Sequence, residues 1–339
     1  MFYNQPVFFE KNRVFRVYTG GKLFADFFGD DSTDGFYPEE WVASSVRALN
    51  EGSTDEHEGV SKILGTDLYL NEAVEKYRKE LLGDREDIGI LTKFLDSAIR
   101  LPVQAHPDKA FSEKYFSSKY GKEESWIILA TRPGAKIYFG FKEGVTLEEF
   151  SKAIDESENK SDAMENLLCS IDVKAGDVIY IPAKMVHAIG KGCLLLEVQE
   201  PTDFTIQPER WCGEYKLSDK EMYLGLERDK ALECFDMQKT YPAPLTPKTI
   251  KDENGVKYEA IIDESITTSF SVRSITLSNG ELDLGRGAAV YVVTEGNGTI
   301  TGETYNREIQ KGDYFLMPYS AKDKYTLAGN NIKIMECYV

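Results

Sequence analysis

Residues 174–187 read KAGDVIYIPAKMVH, and residues 310–323 read QKGDYFLMPYSAKD. Each stretch carries Gly-Asp, a short apolar run and a proline six residues after the glycine. A Gly-Asp turn opening into a strand is a common signal by itself, but its return in the same frame predicts two related β units, each with a tight turn ahead of a barrel strand. The two differ where chemistry is concerned. His187 lies five residues beyond Pro182, the matching place beyond Pro318 holds Asp323, and no histidine follows residue 187. Twin barrels of this kind would bind a metal only in the first.

Working outward, much of the chain reads as short apolar strands with turn residues between them: 93–106 (KFLDSAIRLPVQAH), 125–130 (SWIILA), 135–141 (AKIYFGF), 177–183 (DVIYIPA), 193–200 (CLLLEVQE), and many more after residue 257. Four stretches mix apolar positions at three- and four-residue spacing with Glu and Lys, which predicts helices over 36–49, 67–82, 146–168 and 217–235. The fold class expected is therefore mainly β, two barrels with helical segments added to the N-terminal part. The segment 238–250 (QKTYPAPLTPKTI) is rich in proline and lysine and separates a mixed first part from a strand-like tail. It divides the chain into expected units 1–240 and 245–339.

Composition narrows the function classes. With 339 residues, 42% hydrophobic and 29% charged, the chain can bury two cores or one large one. It has no apolar run long enough to span a bilayer, and its start, MFYNQPVFFEKNRVF, lacks the basic-then-apolar order of a signal peptide, so the cytoplasm is the expected location. The five cysteines are scattered and form no C-x-x-C pair, which reads as reduced thiols. A formal net charge of -17 argues against a nucleic-acid partner. It leaves room for a small phosphorylated substrate bound by a few focused cations.

Of three histidines, two fall in suggestive places. Gln104 and His106 stand two apart in VQAHP, so a strand would put both side chains on one face. Glu124 precedes the strand SWIILA, and His187 ends the 174–187 stretch. Two imidazoles, a carboxylate and an amide oxygen suit one divalent ion such as Zn, Mn, Fe or Co, with a position left for water or substrate. His57, in the acidic loop EGSTDEHEGV, is assigned no role.

The run LPVQAHPDKAFSEKYFSSKYGKEESW, then AKIYFGF, then GDVIYIPAKMVHAIGKGCLLLEVQEPTD closely resembles the type I mannose-6-phosphate isomerases (phosphomannose isomerases), bicupin proteins with one zinc. The resemblance runs from about PEEWVASS at 38–45 through residue 205, and more loosely through the second barrel. It implies two cupin barrels, with Gln104, His106, Glu124 and His187 as the metal ligands and zinc as the metal. It implies conversion of an aldose phosphate to a ketose phosphate through an enediol-type intermediate, in a monomer or homodimer. Lys122, two residues before Glu124, matches a family lysine and is the candidate base. Lys136, opening KIYFGF, is a candidate for the substrate phosphate.

One element departs from the family. Where the family continues E-x-Q-x-x-S-D-x-T-Y-R, this chain reads EVQEPTDFTIQPER over 197–210, with Gln207 at the arginine position and Arg210 three residues on. Arg210 is accordingly the candidate for a catalytic or substrate-binding guanidinium from a shifted loop. The departure keeps two other readings open: a metal-binding cupin isomerase acting on another sugar phosphate, and a non-catalytic, sugar-sensing cupin.

Overall fold

The computed structural model describes residues 1–238 and 244–339. The chain lays down β1 (Arg13–Val14), β2 (Glu39–Val42), β3 (Leu91–Asp96), β4 (Glu124–Thr131) and β5 (Lys136–Phe141). Then come β6 (Leu168–Asp172), β7 (Val178–Ile181), β8 (His187–Ile189) and β9 (Cys193–Gln199). Six of these make a sheet in the order β1-β2-β3-β9-β4-β7, and β6-β5-β8 make a second. Trp126, Ile179 and Leu195 from the first sheet and Ile137, Phe139 and Ala188 from the other meet in one apolar cluster, which fills the first barrel.

A short hairpin, β10 (Trp211–Cys212) and β11 (Tyr215–Lys216), precedes the second unit. There β12 (Lys248–Glu253), β13 (Val256–Ile262), β14 (Ser271–Leu277) and β15 (Gly280–Asp283) are followed by β16 (Ala289–Thr301), β17 (Asn306–Gln310), β18 (Tyr314–Met317) and β19 (Thr326–Tyr338). Pairing runs β12-β13-β14-β19-β16-β18, the same connectivity as the first sheet. The Gly-Asp echo is thus structural. Gly176 and Gly312 sit at φ 92° and 96°, a region that strains any side chain, and Asp177 and Asp313 each accept the backbone N–H three residues earlier. The mainly β, two-barrel class agrees with the sequence. The junction expected between 240 and 245 falls on 239–243, outside the described residues.

The two six-stranded paths lie back to back. Phe94, Ile127, Leu194 and Leu196 from one pack with Val272, Val290, Val292 and Met335 from the other. Each such side chain contributes about 1.5–3 kcal/mol on burial, so the interface is an apolar core in its own right. The N-terminal segment joins it, with Val7 bridging to Leu316.

The helices are α1 (Lys22–Phe28), α2 (Leu70–Leu82), α3 (Lys109–Phe116), α4 (Leu147–Glu156), α5 (Asp219–Tyr223) and α6 (Arg228–Leu232). The helix expected over 67–82 is α2. The one expected over 36–49 does not form: Glu39–Val42 is a strand buried along its length between β1 and β3, and Ala43 turns the chain at φ 46°. Here sheet pairing overrides a helix-like spacing. The 146–168 helix stops after Glu156, where SENKSD offers no apolar face to bury. The 217–235 helix is two short ones, divided at Leu224 and Gly225, both with positive φ. Neither α1 nor α3 was expected; α3 is capped by Asp108, which accepts from Phe111 N.

Candidate metal centre

The strand expected over 93–106 ends at Asp96, and the chain reaches the site as a looped segment. Gln104 is nevertheless fixed there by a two-way backbone pair with His187, at 2.9 and 2.8 Å, and Ala105 bridges to Ile206. Those bridges put Gln104 and His106 beside the end of β8. Glu124 opens β4, held between β9 and β7.

His106, Glu124 and His187 are buried, and one ligand atom from each falls within 4.8 Å of the others. The two Nε2 atoms are 3.1 Å apart, His106 Nε2 is 3.0 Å from Glu124 Oε1, and His187 Nε2 is 3.8 Å from Oε2. His106 Nδ1 donates to the Phe204 carbonyl at 2.9 Å, and His187 Nδ1 to that of Met185 at 2.8 Å. A carbonyl can only accept, so in a neutral ring both Nε2 atoms carry a lone pair aimed at one point. Two lone pairs so close repel unless a cation lies between them. Two ligands at about 2.0–2.1 Å around a tetrahedral ion would be about 3.3 Å apart. The donor set therefore fits a divalent ion. Gln104, whose amide nitrogen is 3.3 Å from His187 Nε2, presents its oxygen to that point after a half-turn of the amide.

Electrostatics agree. Burial lowers the His106 imidazole, and burial with neighbouring His106 brings His187 down to about 3, so both rings stay neutral, as ligands must. Burial alone would push Glu124 up, but the Lys122 ammonium against it holds it well below the usual carboxylate range. Lys122 Nζ is buried 2.7 Å from Glu124 Oε1 and 3.2 Å from His106 Nε2, and Trp126 Nε1 donates to Glu124 Oε2 at 3.2 Å. Gln199 fastens the neighbouring loop through the carbonyls of Glu200 and Thr202, next to Phe204.

No family model matches the chain. It is 30% identical over 328 residues, 93% of each chain, to the mannose-6-phosphate isomerase ManA of Bacillus subtilis. The chain belongs to the mannose-6-phosphate isomerase family. A Streptococcus mutans mannose-6-phosphate isomerase is 27% identical over 322 residues, 94% of each chain. In fold, it superposes on the crystal structure of the Bacillus subtilis mannose 6-phosphate isomerase with a TM-score of 0.78 at 22% identity, covering 99% of this chain and 100% of that one.

Gln104, Lys122 and Glu124 line a cavity of about 370 Å³. At the place of the family's arginine, Gln207 lines it too, its amide donating to the Glu221 carbonyl at 3.3 Å. Arg210 does not line it. Its guanidinium meets Glu158 at 3.0 Å, Asp219 at 2.7 Å and the Leu217 carbonyl at 2.8 Å. Lys136 starts β5 in register with Asp172 and does not line the cavity either.

The lining cations besides Lys122 are Arg16, Lys93 and Lys220, none of them singled out by sequence. Arg16 holds both Asp203 oxygens, at 3.0 and 3.1 Å, and Glu39 at 3.1 Å. Lys93 lies 3.6 Å from Glu39 and 3.5 Å from Glu197. Burial, then the charge of Glu124, pushes Glu197 well up, and its Oε1 makes no hydrogen bond among the described residues. These groups come from β2, β3, β9 and the segment after β1, distances in sequence that no local motif spans. Glu197 and Asp203 had a signal in the E-x-Q-x-x-S-D element, and Glu39 lay in PEEWVASS; Arg16 and Lys93 had none.

Proposed function

We propose that the chain interconverts mannose 6-phosphate and fructose 6-phosphate, with one divalent ion, zinc by its donor set, held by Gln104, His106, Glu124 and His187. The observation that carries this reading is the convergence of two neutral imidazoles and a carboxylate beside buried Lys122 in a cavity. Such an ion, when bound, supplies a Lewis acid for the substrate's carbonyl and hydroxyl oxygens. Lys122 moves the proton between C1 and C2 from its place against Glu124, giving an enediol on the way. Glu197 Oε1 meets a sugar hydroxyl. The phosphate points to the mouth, where exposed Lys220 is the cation with the weakest carboxylate hold, Glu51 at 4.0 Å. The segment 1–240 would carry this chemistry, with 245–339 as a second barrel, in a cytoplasmic enzyme.

A second reading keeps the chemistry and changes the sugar phosphate. It is favoured by Gln207 at the cavity wall and by the carboxylates already engaging Arg16 and Lys93. The test is a coupled assay of mannose 6-phosphate conversion on metal-analysed protein before and after chelation. Turnover lost with the metal and restored by zinc supports the first reading; bound metal without turnover moves the weight to the second.

A further inference from the structure

The equivalence of the two sheets extends to single residues. A cross-strand row in the first reads Lys93–Glu197–Trp126–Ile179, and its counterpart in the second reads Arg273–Glu336–Tyr291–Phe315. Ile179 and Phe315 each lie three residues past the echoed glycine. Both rows thus place a cation, a buried glutamate and an aromatic side by side. In the first barrel the row borders the cavity described above. In the second, Arg273, Glu336 and Tyr291 line another cavity, also about 370 Å³, within the range of small-molecule sites.

What differs is the charge. Two residues before Trp126 stands Glu124; two before Tyr291 stands Ala289, and no histidine follows residue 187, so the first cavity's candidate ligand set has no counterpart here. Its cations outnumber its acids, Arg273, Arg286 and Lys322 against Glu336 and Asp283, whereas the first cavity is lined by more carboxylates than cations. Arg273 Nη1 and Arg286 Nε both bind Glu336 Oε2 at 3.2 Å, and Tyr291 Oη donates to Oε1 at 2.7 Å, so one buried carboxylate is shared by two guanidiniums. The Nη atoms of Arg286 make no hydrogen bond among the described residues, while the group stacks on Tyr338 with Cζ 3.7 Å from the ring centroid. Lys322 also lines the cavity, where its Nζ lies 4.2 Å from the Tyr319 ring centroid and makes no ion pair among the described residues. The acid left over on the wall is Asp283, which accepts from Thr326.

We propose that this second cavity binds a phosphorylated monosaccharide, its phosphate held by Arg286 and Lys322 and its ring laid against Tyr258. A guanidinium oriented by stacking and by a buried carboxylate offers its outer N–H pair as a planar fork, the geometry a phosphate takes. Tyrosine faces offer an apolar surface with a polar tip to a sugar. The sugar part rests on the proposed activity of the first cavity; the anion part does not.

The test is calorimetric titration of the full, metal-replete chain with an equilibrated mixture of mannose 6-phosphate and fructose 6-phosphate. The wild type should bind two per chain. Arg286→Gln with Lys322→Gln should weaken one event about tenfold or more and leave turnover unchanged. Lys322→Glu alone, which leaves the Glu336 cluster intact, should weaken the same event. Inorganic phosphate should compete for it, and mannose should not. One event in both wild type and double variant, two of unchanged affinity in both, or equal binding of mannose would overturn the proposal. One event in the wild type and none in the double variant would uphold it and instead sink the activity proposed for the first cavity.

Discussion

His106 and His187 hold their Nε2 atoms 3.1 Å apart while each Nδ1 donates to a backbone carbonyl. That relationship is costly without a cation between the rings and ready-made with one. Replacing His187 by alanine or Glu124 by glutamine should bring metal content well below one ion per chain. Turnover should fall by about 10³-fold, the several kcal/mol that a Lewis acid supplies. Full metal content in both variants would remove these residues from the centre.

Lys122→Met separates chemistry from metal binding. The variant should keep its ion, because Lys122 is no ligand, and lose about 10²–10⁴-fold in kcat, as expected of a missing proton-transfer group. A KM effect with kcat intact would instead make Lys122 a binding group.

Arg210→Ala should do little. Its partners Glu158 and Asp219 are substantially exposed, and pairs of that kind contribute about 0–1 kcal/mol. Thermal unfolding should shift slightly and kcat/KM by less than about threefold, under 1 kcal/mol. A large loss in kcat at unchanged stability would return Arg210 to the reaction.

Acid should attack the charged wall of the first cavity. Burial would raise the Glu39 carboxyl, but Arg16 and Lys93 outweigh it and hold it at about 2 against an ordinary 4.5. A depressed carboxyl contributes stability that is complete above its unfolded value and lost as pH falls through its folded one. Urea unfolding should therefore show stability declining from about pH 4.5 toward about 2, by on the order of 3 kcal/mol from this group. In Glu39→Gln that part of the slope should be missing. Parallel profiles for the two proteins would contradict the assignment.

Deleting residues 245–339 should give insoluble protein. The cut would expose Phe94, Ile127, Leu194 and Leu196, which pack against Val272, Val290, Val292 and Met335. A soluble, fully active truncation, judged by sedimentation and assay, would refute a covering role for the second barrel.

Sequence carried the repeat because a turn needing positive φ leaves a glycine, and a carboxylate catching the N–H three residues back leaves an aspartate. It carried the candidate ligands for a related reason: a site for a divalent ion would restrict His106 and His187 to particular residue types. Helix ends were legible where a cap exists, as at Thr146 of α4, and illegible at 36–49, where the spacing of EEWVASS suits either state and only β1 and β3 decide. The walls of the first cavity were hidden because Arg16, Lys93 and Glu197 meet through tertiary pairing. Arg210 shows the opposite hazard. The right residue type near the right place is claimed by Glu158 and Asp219, partners that the sequence does not announce.

The back-to-back sheets bear on how the proposed centre would exchange an ion. β4 has the first barrel's interior on one face and the second barrel's wall on the other, with Trp126 in one cluster and Ile127 in the other. Amides on such a strand are freed only by global opening, so its hydrogen exchange should be among the slowest in the molecule. Glu124 is therefore mounted on rigid backbone, whereas Gln104 and His106 ride on a looped segment, and an entering or departing ion would find its freedom on that side.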